Sequence, residues 1–126
     1  MGSARILVVD DEPDVVSLVK RTLLAEGFEV LEAFDGIAAL DLAAKERPDL
    51  VLLDIMMPMM SGYEVCEELK RDPDTQDIPV ICLTSAHTPE ARAQGFKAGA
   101  DEVVTKPFLP AELVAQIRRR LDASTS

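Results

Sequence analysis

Four consecutive aliphatic residues, Leu50 to Leu53, run directly into the carboxylate of Asp54. An unbroken apolar run of this length is typical of a strand buried on both faces, as in a parallel sheet with helices on either side. Asp54 then lies at the carboxyl end of the strand, and this is the edge of open α/β sheets where ligands bind. Taken alone, Asp54 is equally well explained as an aspartate that begins a loop, so the other strand ends decide its role.

The rest of the chain alternates short aliphatic runs with longer amphipathic segments. Four more strands are predicted, at residues 6–9, 28–33, 78–84 and 102–105. The clearest helix start is Thr88-Pro89-Glu90, which combines an N-cap, a proline at the first helical position and a first-turn acid. Five strands that alternate with five helices through short loops require right-handed crossovers. The sequence therefore predicts a three-layer, doubly wound α/β fold.

The first predicted helix begins near Asp11 or Glu12 and ends at Gly27. Acids favour a helix N-terminus, and the proline that follows them fits the first helical turn. Its apolar residues are assigned to a single stripe, which comprises Val15, Val16, Leu18, Val19, Leu23 and Leu24. We expect this stripe to pack on the sheet.

Length and charge narrow the class of protein. The 126 residues form one domain, predicted at 4–121, and residues 122–126 are expected to be a disordered tail or the start of a linker. The 13 basic and 23 acidic residues give a net charge of −10, which argues against direct nucleic-acid binding by this domain. Because no signal peptide or membrane-length apolar run occurs, we expect a cytoplasmic protein without membrane contact.

Four of the five predicted strands end in side chains that can carry chemistry. The first ends at Asp10 and Asp11, the third at Asp54, the fourth at Thr84 and the fifth at Lys106. In a parallel sheet these ends share one edge, so separate loop-capping explanations would require a coincidence. The sequence therefore predicts one site built from all five side chains.

Three carboxylates at one edge repel each other unless positive charge intervenes. Two carboxylates about 4 Å apart at an effective dielectric constant near 20 repel by roughly 4 kcal/mol. Lys106 supplies one positive charge, and Mg²⁺ would supply more, since it prefers oxygen ligands and keeps positions open for phosphate oxygens. We interpret the edge as a metal site beside a carboxylate nucleophile, with Thr84 and Lys106 placed to hold phosphoryl oxygens.

These residues lie in motifs that resemble the receiver domains of two-component response regulators. The resemblance covers residues 4–121 and rests on Leu7-Val8-Val9-Asp10-Asp11-Glu12, Leu52-Leu53-Asp54-Ile55-Met56-Met57-Pro58, Gly62 eight residues after Asp54, Leu83-Thr84-Ser85-Ala86, Gly99-Ala100-Asp101 and Thr105-Lys106-Pro107-Phe108. It implies a flavodoxin-like, five-stranded parallel sheet with strand order 2-1-3-4-5 and five helices. It also implies that Asp54 is the phosphoacceptor, and that Mg²⁺ binds to Asp10, Asp11, Asp54 and the main-chain carbonyl of Met56.

The same resemblance implies a switch and its partners. Thr84 is the expected switch hydroxyl, and Lys106 is expected to pair with the phosphoryl group. The implied donor is a histidine kinase or a histidine phosphotransfer protein in a phosphorelay, and the chain is a phosphoacceptor that assists its own phosphorylation and dephosphorylation, not an enzyme. The face formed by the fourth helix, fifth strand and fifth helix is the expected contact for an effector or for a second copy in a homodimer.

Three positions depart from the usual pattern of the family. Val103 stands three residues before Lys106, where a tyrosine or phenylalanine often rotates on phosphorylation. Ser85 stands where alanine is common, and Ser61 where an acid often precedes the glycine. Since Val103 is too small to act as a rotor, we expect the loop at 85–89 to repack on phosphorylation while Val103 stays passive.

Several other residues have simpler interpretations. His87 is interpreted as a solvated loop residue, the run Arg118 to Arg120 as a solvated helix face, and Cys66 and Cys82 as reduced packing residues. Either an adaptable partner surface or ordinary packing explains the methionines that follow the central strand, which are Met56, Met57, Met59 and Met60.

Three rival functions fit the residues less well. A nucleotide- or flavin-binding fold needs a glycine-rich phosphate loop after the first strand, where this chain has Asp10-Asp11-Glu12-Pro13. Metal-dependent phosphatases with an aspartate nucleophile commonly carry a second acid two residues later, and Met56 occupies that place. A receiver-like module that is never phosphorylated has no need of all five polar strand-end residues.

Overall fold

The computed structural model describes residues 3–125 as one alternating series of strands and helices. The elements are β1 (Arg5–Val9), α1 (Pro13–Ala25), β2 (Glu29–Ala33), α2 (Gly36–Glu46), β3 (Leu50–Asp54), α3 (Gly62–Arg71), β4 (Val80–Thr84), α4 (Pro89–Lys97), β5 (Glu102–Thr105) and α5 (Pro110–Thr125). All strand pairs are parallel, and the strand order is β2-β1-β3-β4-β5. The predicted doubly wound, flavodoxin-like fold with five helices is therefore confirmed.

Strand β3 lies at the centre of the sheet and is buried along its whole length. Its side chains alternate between two hydrophobic clusters. Val51 and Leu53 belong to one cluster, and Leu50 and Leu52 belong to the other. Because successive side chains of a strand point to opposite faces, the unbroken aliphatic run supplies both layers of the core.

Helix α1 presents a narrower apolar face than the sequence predicts. Val16, Val19 and Leu23 are buried, whereas Leu18 is 58% exposed and Leu24 is 50% exposed. Positions 16, 19 and 23 follow the three- and four-residue spacing that keeps side chains on one side of a helix. The prediction that Leu18 and Leu24 share the inward stripe is wrong, because both lie outside that spacing.

Two leucines of α1 provide a matched test of this geometry. We expect Leu23→Ala to lower the free energy of unfolding by about 2–5 kcal/mol, because it leaves a cavity in the core. Leu18→Ala should change it by less than about 0.5 kcal/mol, since the side chain is mainly solvated. Urea denaturation of both variants measures the difference, and equal effects would contradict the assigned face.

Side-chain caps define the starts of α3 and α4. Ser61 and Glu64 form a reciprocal capping box at the start of α3. The side chain of Thr88 accepts a hydrogen bond from the amide of Ala91, with Pro89 as the first residue of α4. The predicted start of α4 is thereby confirmed.

The C-terminal segment differs from the sequence-based expectation. Helix α5 continues to Thr125, so residues 122–125 are helical where a disordered tail or linker is predicted. No proline or glycine interrupts this stretch, so nothing in it ends the helix earlier. Ser126 lies outside the described residues, and the boundary at residue 121 stays a prediction. No helix within residues 3–125 is long and apolar enough to cross a membrane.

The two cysteines are both free and fully buried, as predicted for packing residues. Cys66 lies on α3 and Cys82 on β4, and both belong to the same hydrophobic cluster of the core. The neighbouring Cys66 thiol and burial both raise the pKa of Cys82 above its usual value, so its thiol stays protonated near neutral pH.

Candidate functional site

The carboxyl ends of β1, β3 and β4 deliver buried polar side chains to one edge of the sheet. Within the described residues, the buried polar or charged side chains are Asp10, Asp54, Thr75 and Thr84. Thr75 is explained by a hydrogen bond from its hydroxyl to the carbonyl of Leu69. The other three are residues that the sequence assigns to the site, so the strand-end argument identifies three of the four buried polar side chains in this part of the chain.

Lys106 connects two of these carboxylates. Its ammonium Nζ lies 2.8 Å from Oδ1 of Asp54 and 3.3 Å from Oδ2 of Asp10. The pairing of Thr84 with Thr105 in β4 and β5, and a 2.7 Å hydrogen bond from the amide of Lys106 to the carbonyl of Thr84, place the lysine at this edge. The structure thus brings one cation and two buried carboxylates into direct contact.

Three acids beside this contact form a possible cation site. The carboxylate oxygens of Asp10, Asp11 and Glu12 lie within 4.8 Å of one another. Oδ1 of Asp10 also accepts a hydrogen bond of 3.0 Å from the amide of Glu12. An all-oxygen donor set with two exposed or half-exposed members fits a hard divalent cation such as Mg²⁺, which keeps several water ligands.

The membership of this cluster differs in part from the predicted ligand set. Asp10 and Asp11 belong to it, Glu12 is an additional member, and Asp54 lies outside the group of three. The sequence contained a signal for Glu12, because it directly follows the two aspartates. The side chain of Met56 is 69% exposed and is predicted to contribute only its main-chain carbonyl.

Thr84 is buried at the end of β4, beside the loop that leads to α4. Its hydroxyl oxygen accepts a hydrogen bond of 3.0 Å from the amide of Ala86. Ser85 and His87 are exposed, in agreement with the interpretation of His87 as a solvated loop residue. Reorientation of the Thr84 hydroxyl would therefore remove an acceptor from the loop that precedes α4.

Burial and charge act in opposite directions on the ionisable groups of the site. Burial raises the pKa of Asp54 above its usual 3.8, the hydrogen bond from Lys106 reduces this shift, and the charges of Asp10 and Asp11 increase it. Burial alone would lower the pKa of Lys106, but its hydrogen bonds and charge interactions with Asp54 and Asp10 raise it. One lysine therefore offsets only part of the carboxylate repulsion, and a bound cation would offset more.

The raised pKa of Asp54 predicts a pH-dependent stability in metal-free buffer. The folded state binds the Asp54 proton more tightly than the unfolded state does. Protonation of Asp54 therefore contributes fully to the free energy of unfolding below the unfolded pKa of about 3.8, and this contribution is lost as the pH rises through the folded-state pKa. We expect the free energy of unfolding of Asp54→Asn to rise relative to that of the native chain as the pH increases above about 4. Urea denaturation with a chelator measures this, and a pH-independent difference would count against it.

Gly62 allows the start of α3 to lie directly against the end of β3. A Cβ atom at Gly62 would lie 2.4 Å from the carbonyl oxygen of Asp54 and 2.7 Å from Cα of Ile55. The amide of Gly62 donates a 2.9 Å hydrogen bond to the carbonyl of Ile55. The glycine eight residues after Asp54 is thus required by a close backbone approach.

The methionines of the β3–α3 loop divide into two pairs. Met57 is buried and Met60 packs against the core, whereas Met56 and Met59 are exposed. Met59 has a left-handed backbone with a φ of 70° and a fully exposed side chain. Packing therefore explains Met57 and Met60, whereas the exposed side chains of Met56 and Met59 are available to a partner.

Asp101 has a structural role outside the site. Its Oδ2 atom accepts a 2.8 Å hydrogen bond from the amide of Val80 and a 3.1 Å hydrogen bond from Lys70. Lys70 also donates to the carbonyl of Ile78 at 2.8 Å. The Gly99-Ala100-Asp101 motif thus fixes the start of β4 to α3.

Charged side chains cross the face formed by α4, β5 and α5. Arg92 donates a 2.9 Å hydrogen bond to the carbonyl of Val103, and its guanidinium lies 3.8 Å from Glu102. Arg120 pairs with Glu102 at 3.3 Å, and Arg118 pairs with Glu26 at 3.0 Å. The run 118–120 is therefore not simply solvated, because two of its three arginines form ion pairs with residues outside α5.

Comparison with known proteins gives consistent results. The sequence model of the family described as the response regulator receiver domain matches residues 6–118. The chain is 44% identical over 117 residues to the DNA-binding dual master transcriptional regulator RpaA of Synechocystis sp., which covers 93% of this chain and 48% of that protein. It is 47% identical over 116 residues to the response regulator PleD of Caulobacter vibrioides, which covers 92% of this chain and 26% of that protein.

Solved structures show the same similarity along the full domain. The chemotaxis protein CheY4 of Vibrio cholerae superposes with a TM-score of 0.89 at 34% identity, covering 94% of this chain and 98% of that one. A CheY-like response regulator receiver domain protein of Methanospirillum hungatei gives a TM-score of 0.91 at 31% identity, covering 98% of each chain. The chain spans less than half the length of the two curated relatives described above.

Proposed function

Because the chain belongs to the response regulator receiver domain family, we propose that Asp54 accepts a phosphoryl group from a histidine kinase or a histidine phosphotransfer protein in the cytoplasm. The observation that carries the proposal is the buried contact of Lys106 with both Asp54 and Asp10. A lysine held between two carboxylates is placed to bind the oxygens of a phosphoryl group that arrives on either of them. Family membership favours Asp54 as the acceptor.

The proposed transfer needs little covalent machinery from the protein. A carboxylate oxygen of Asp54 attacks phosphorus, and the P–N bond of the donor phosphohistidine breaks with its electron pair going to the imidazole nitrogen. Lys106 offsets the charge of the phosphoryl oxygens, and Thr84 offers them a hydroxyl donor. The chain is thus a phosphoacceptor and not a catalyst that acts on a separate substrate.

We assign the metal of this reaction to Mg²⁺ held by Asp10 and Asp11, with Asp54 and the carbonyl of Met56 completing the protein ligands. When bound, Mg²⁺ supplies positive charge that neutralises phosphoryl oxygens. The clustered carboxylates of Asp10, Asp11 and Glu12 support this assignment. Glu12 is exposed and is assigned no direct role.

The direct experiment is an intact-mass measurement after incubation with a small phosphodonor and Mg²⁺. One added phosphoryl group in the native chain, lost when a chelator is included, would support the proposal. No adduct with Mg²⁺ present would overturn it.

The proposed signal leaves the site through Thr84. If its hydroxyl turns towards the phosphoryl group, the amide of Ala86 loses its acceptor and the loop before α4 must rearrange. The proposed output is a changed face of α4, β5 and α5, where charges of both signs are available to an effector or to a second copy. Val103 is 2% exposed, and its Cγ2 atom would lie 2.7 Å from a Cβ atom at Gly95 of α4. We propose that it stays passive during this change.

Removal of the Thr84 hydroxyl tests this route. We expect beryllofluoride, a phosphoryl mimic, to shift the amide resonances of α4 in the native chain and to shift them much less in Thr84→Ala. Shifts around Asp54 should persist in both proteins and serve as the internal control for binding. Undiminished α4 shifts in the variant would show that another group carries the signal.

A further inference from the structure

Helix α4 has few apolar contacts that fix its position. Its buried residues, Ala91 and Gly95, are both small, and Gly95 lies in the interior of the helix. A helix with little buried apolar area and an internal glycine is expected to shift at low cost. Single hydrogen bonds to α4 therefore have a large influence on where it rests.

One such hydrogen bond comes from the first turn of α3. The hydroxyl of Tyr63 donates to the carbonyl of Ala91 at 3.2 Å, and its ring carbon Cε1 would lie 4.0 Å from a Cβ atom at Gly95. Burial raises the pKa of the Tyr63 phenol, so the hydroxyl remains a donor at neutral pH. The ring therefore lies beneath α4 and is hydrogen-bonded to its first turn.

Tyr63 is also the chain neighbour of a residue that lies against the proposed phosphorylation site. It follows Gly62, whose backbone lies against the Asp54 carbonyl. At the other end of the contact, the amide of Ala91 donates to the Thr88 side chain, at the end of the loop that begins with Thr84. A rearrangement of that loop which moves Thr88 therefore acts through this hydrogen bond on the position of Ala91, and so on the contact of Ala91 with Tyr63.

We propose that the Tyr63 hydroxyl restrains α4 in its unphosphorylated position and that this hydrogen bond breaks when Asp54 is phosphorylated. This inference rests on the proposed function. It makes Tyr63 a positioning residue of the switch, in a chain whose Val103 is too small to act as a rotating aromatic. A contact made only in the resting state lowers the apparent affinity for any ligand that requires the other state.

The composition of the chain provides a direct probe. Tyr63 is its single tyrosine and tryptophan is absent, so tyrosine absorption and emission report on this ring alone. We expect beryllofluoride with Mg²⁺ to change the tyrosine emission of the native chain. We expect Tyr63→Phe, which keeps the ring and loses the donor, to bind beryllofluoride about three to ten times more tightly, the ratio that corresponds to one net hydrogen bond.

The matched control is Thr22→Val on α1, which also removes a hydroxyl that donates to a backbone carbonyl, that of Leu18. Its beryllofluoride affinity should equal that of the native chain. Fluorine NMR of the bound mimic measures binding independently of the tyrosine signal. Bound mimic with unchanged tyrosine emission, or equal or weaker affinity in Tyr63→Phe, would overturn the inference and leave the phosphoacceptor role intact. No bound mimic in the native chain would overturn the proposed function itself.

Discussion

The Asp54→Asn variant is expected to gain no phosphoryl group under conditions in which the native chain gains one. Asparagine keeps the shape of the side chain at the end of β3 but removes the nucleophilic carboxylate oxygen. The variant should fold, since the amide oxygen can still accept a hydrogen bond from Lys106. Intact-mass spectrometry after incubation with a small phosphodonor and Mg²⁺ provides the measurement.

The control for this experiment is Asp41→Asn, which changes an exposed carboxylate on α2. This variant should be phosphorylated to the native extent. An adduct that persists in Asp54→Asn would show that a different side chain is the acceptor. In that case Asp10, the other carboxylate in contact with Lys106, would be the first residue to replace.

The second large effect concerns metal binding. We expect Asp11→Ala to weaken Mg²⁺ binding at least tenfold, because a hard cation that keeps several waters depends on each of its few carboxylate ligands. In metal-free buffer the same change should stabilise the fold by about 1 kcal/mol, because it removes one of three crowded negative charges at a half-exposed position. Calorimetric titration and thermal unfolding measure the two effects.

Asp14→Ala is the matched control, because it removes an exposed acid from the first turn of α1 outside the cluster. Its Mg²⁺ affinity should stay within about twofold of the native value, the change expected from a screened, exposed charge. Asp10→Ala should bind Mg²⁺ as poorly as Asp11→Ala. Native affinity in both Asp10→Ala and Asp11→Ala would exclude this cluster as the metal site.

The fold was predictable because its signals are local. The aliphatic run at 50–53 specifies a strand buried on both faces, and Thr88 with Pro89 specifies a helix start, each within a few residues. Residue type alone places Leu18 on the inward stripe, but the spacing of Val16, Val19 and Leu23 leaves it outside the buried face of α1. The sequence also does not determine where α5 ends, since a polar segment without a breaker is compatible with either helix or coil.

The site was predictable to the extent that it depends on topology. Parallel strands place their carboxyl ends together, so Asp54 and Lys106 could be assigned to one edge before the 2.8 Å contact between them was known. Contacts that depend on how helices lie against each other were not accessible in this way. The hydrogen bond from Tyr63 to Ala91 joins residues 28 positions apart, and the pairing of Arg120 with Glu102 depends on how α5 crosses β5.

The buried pair Cys66 and Cys82 has a practical consequence. A thiol must be exposed and ionised to react with an alkylating reagent, and both thiols are enclosed between α3 and β4. Alkylation can therefore proceed only in molecules in which α3 has separated from the sheet. The rate of alkylation in native buffer then reports how often that separation occurs, and comparison of rates with and without beryllofluoride would show whether phosphorylation loosens or tightens this half of the domain.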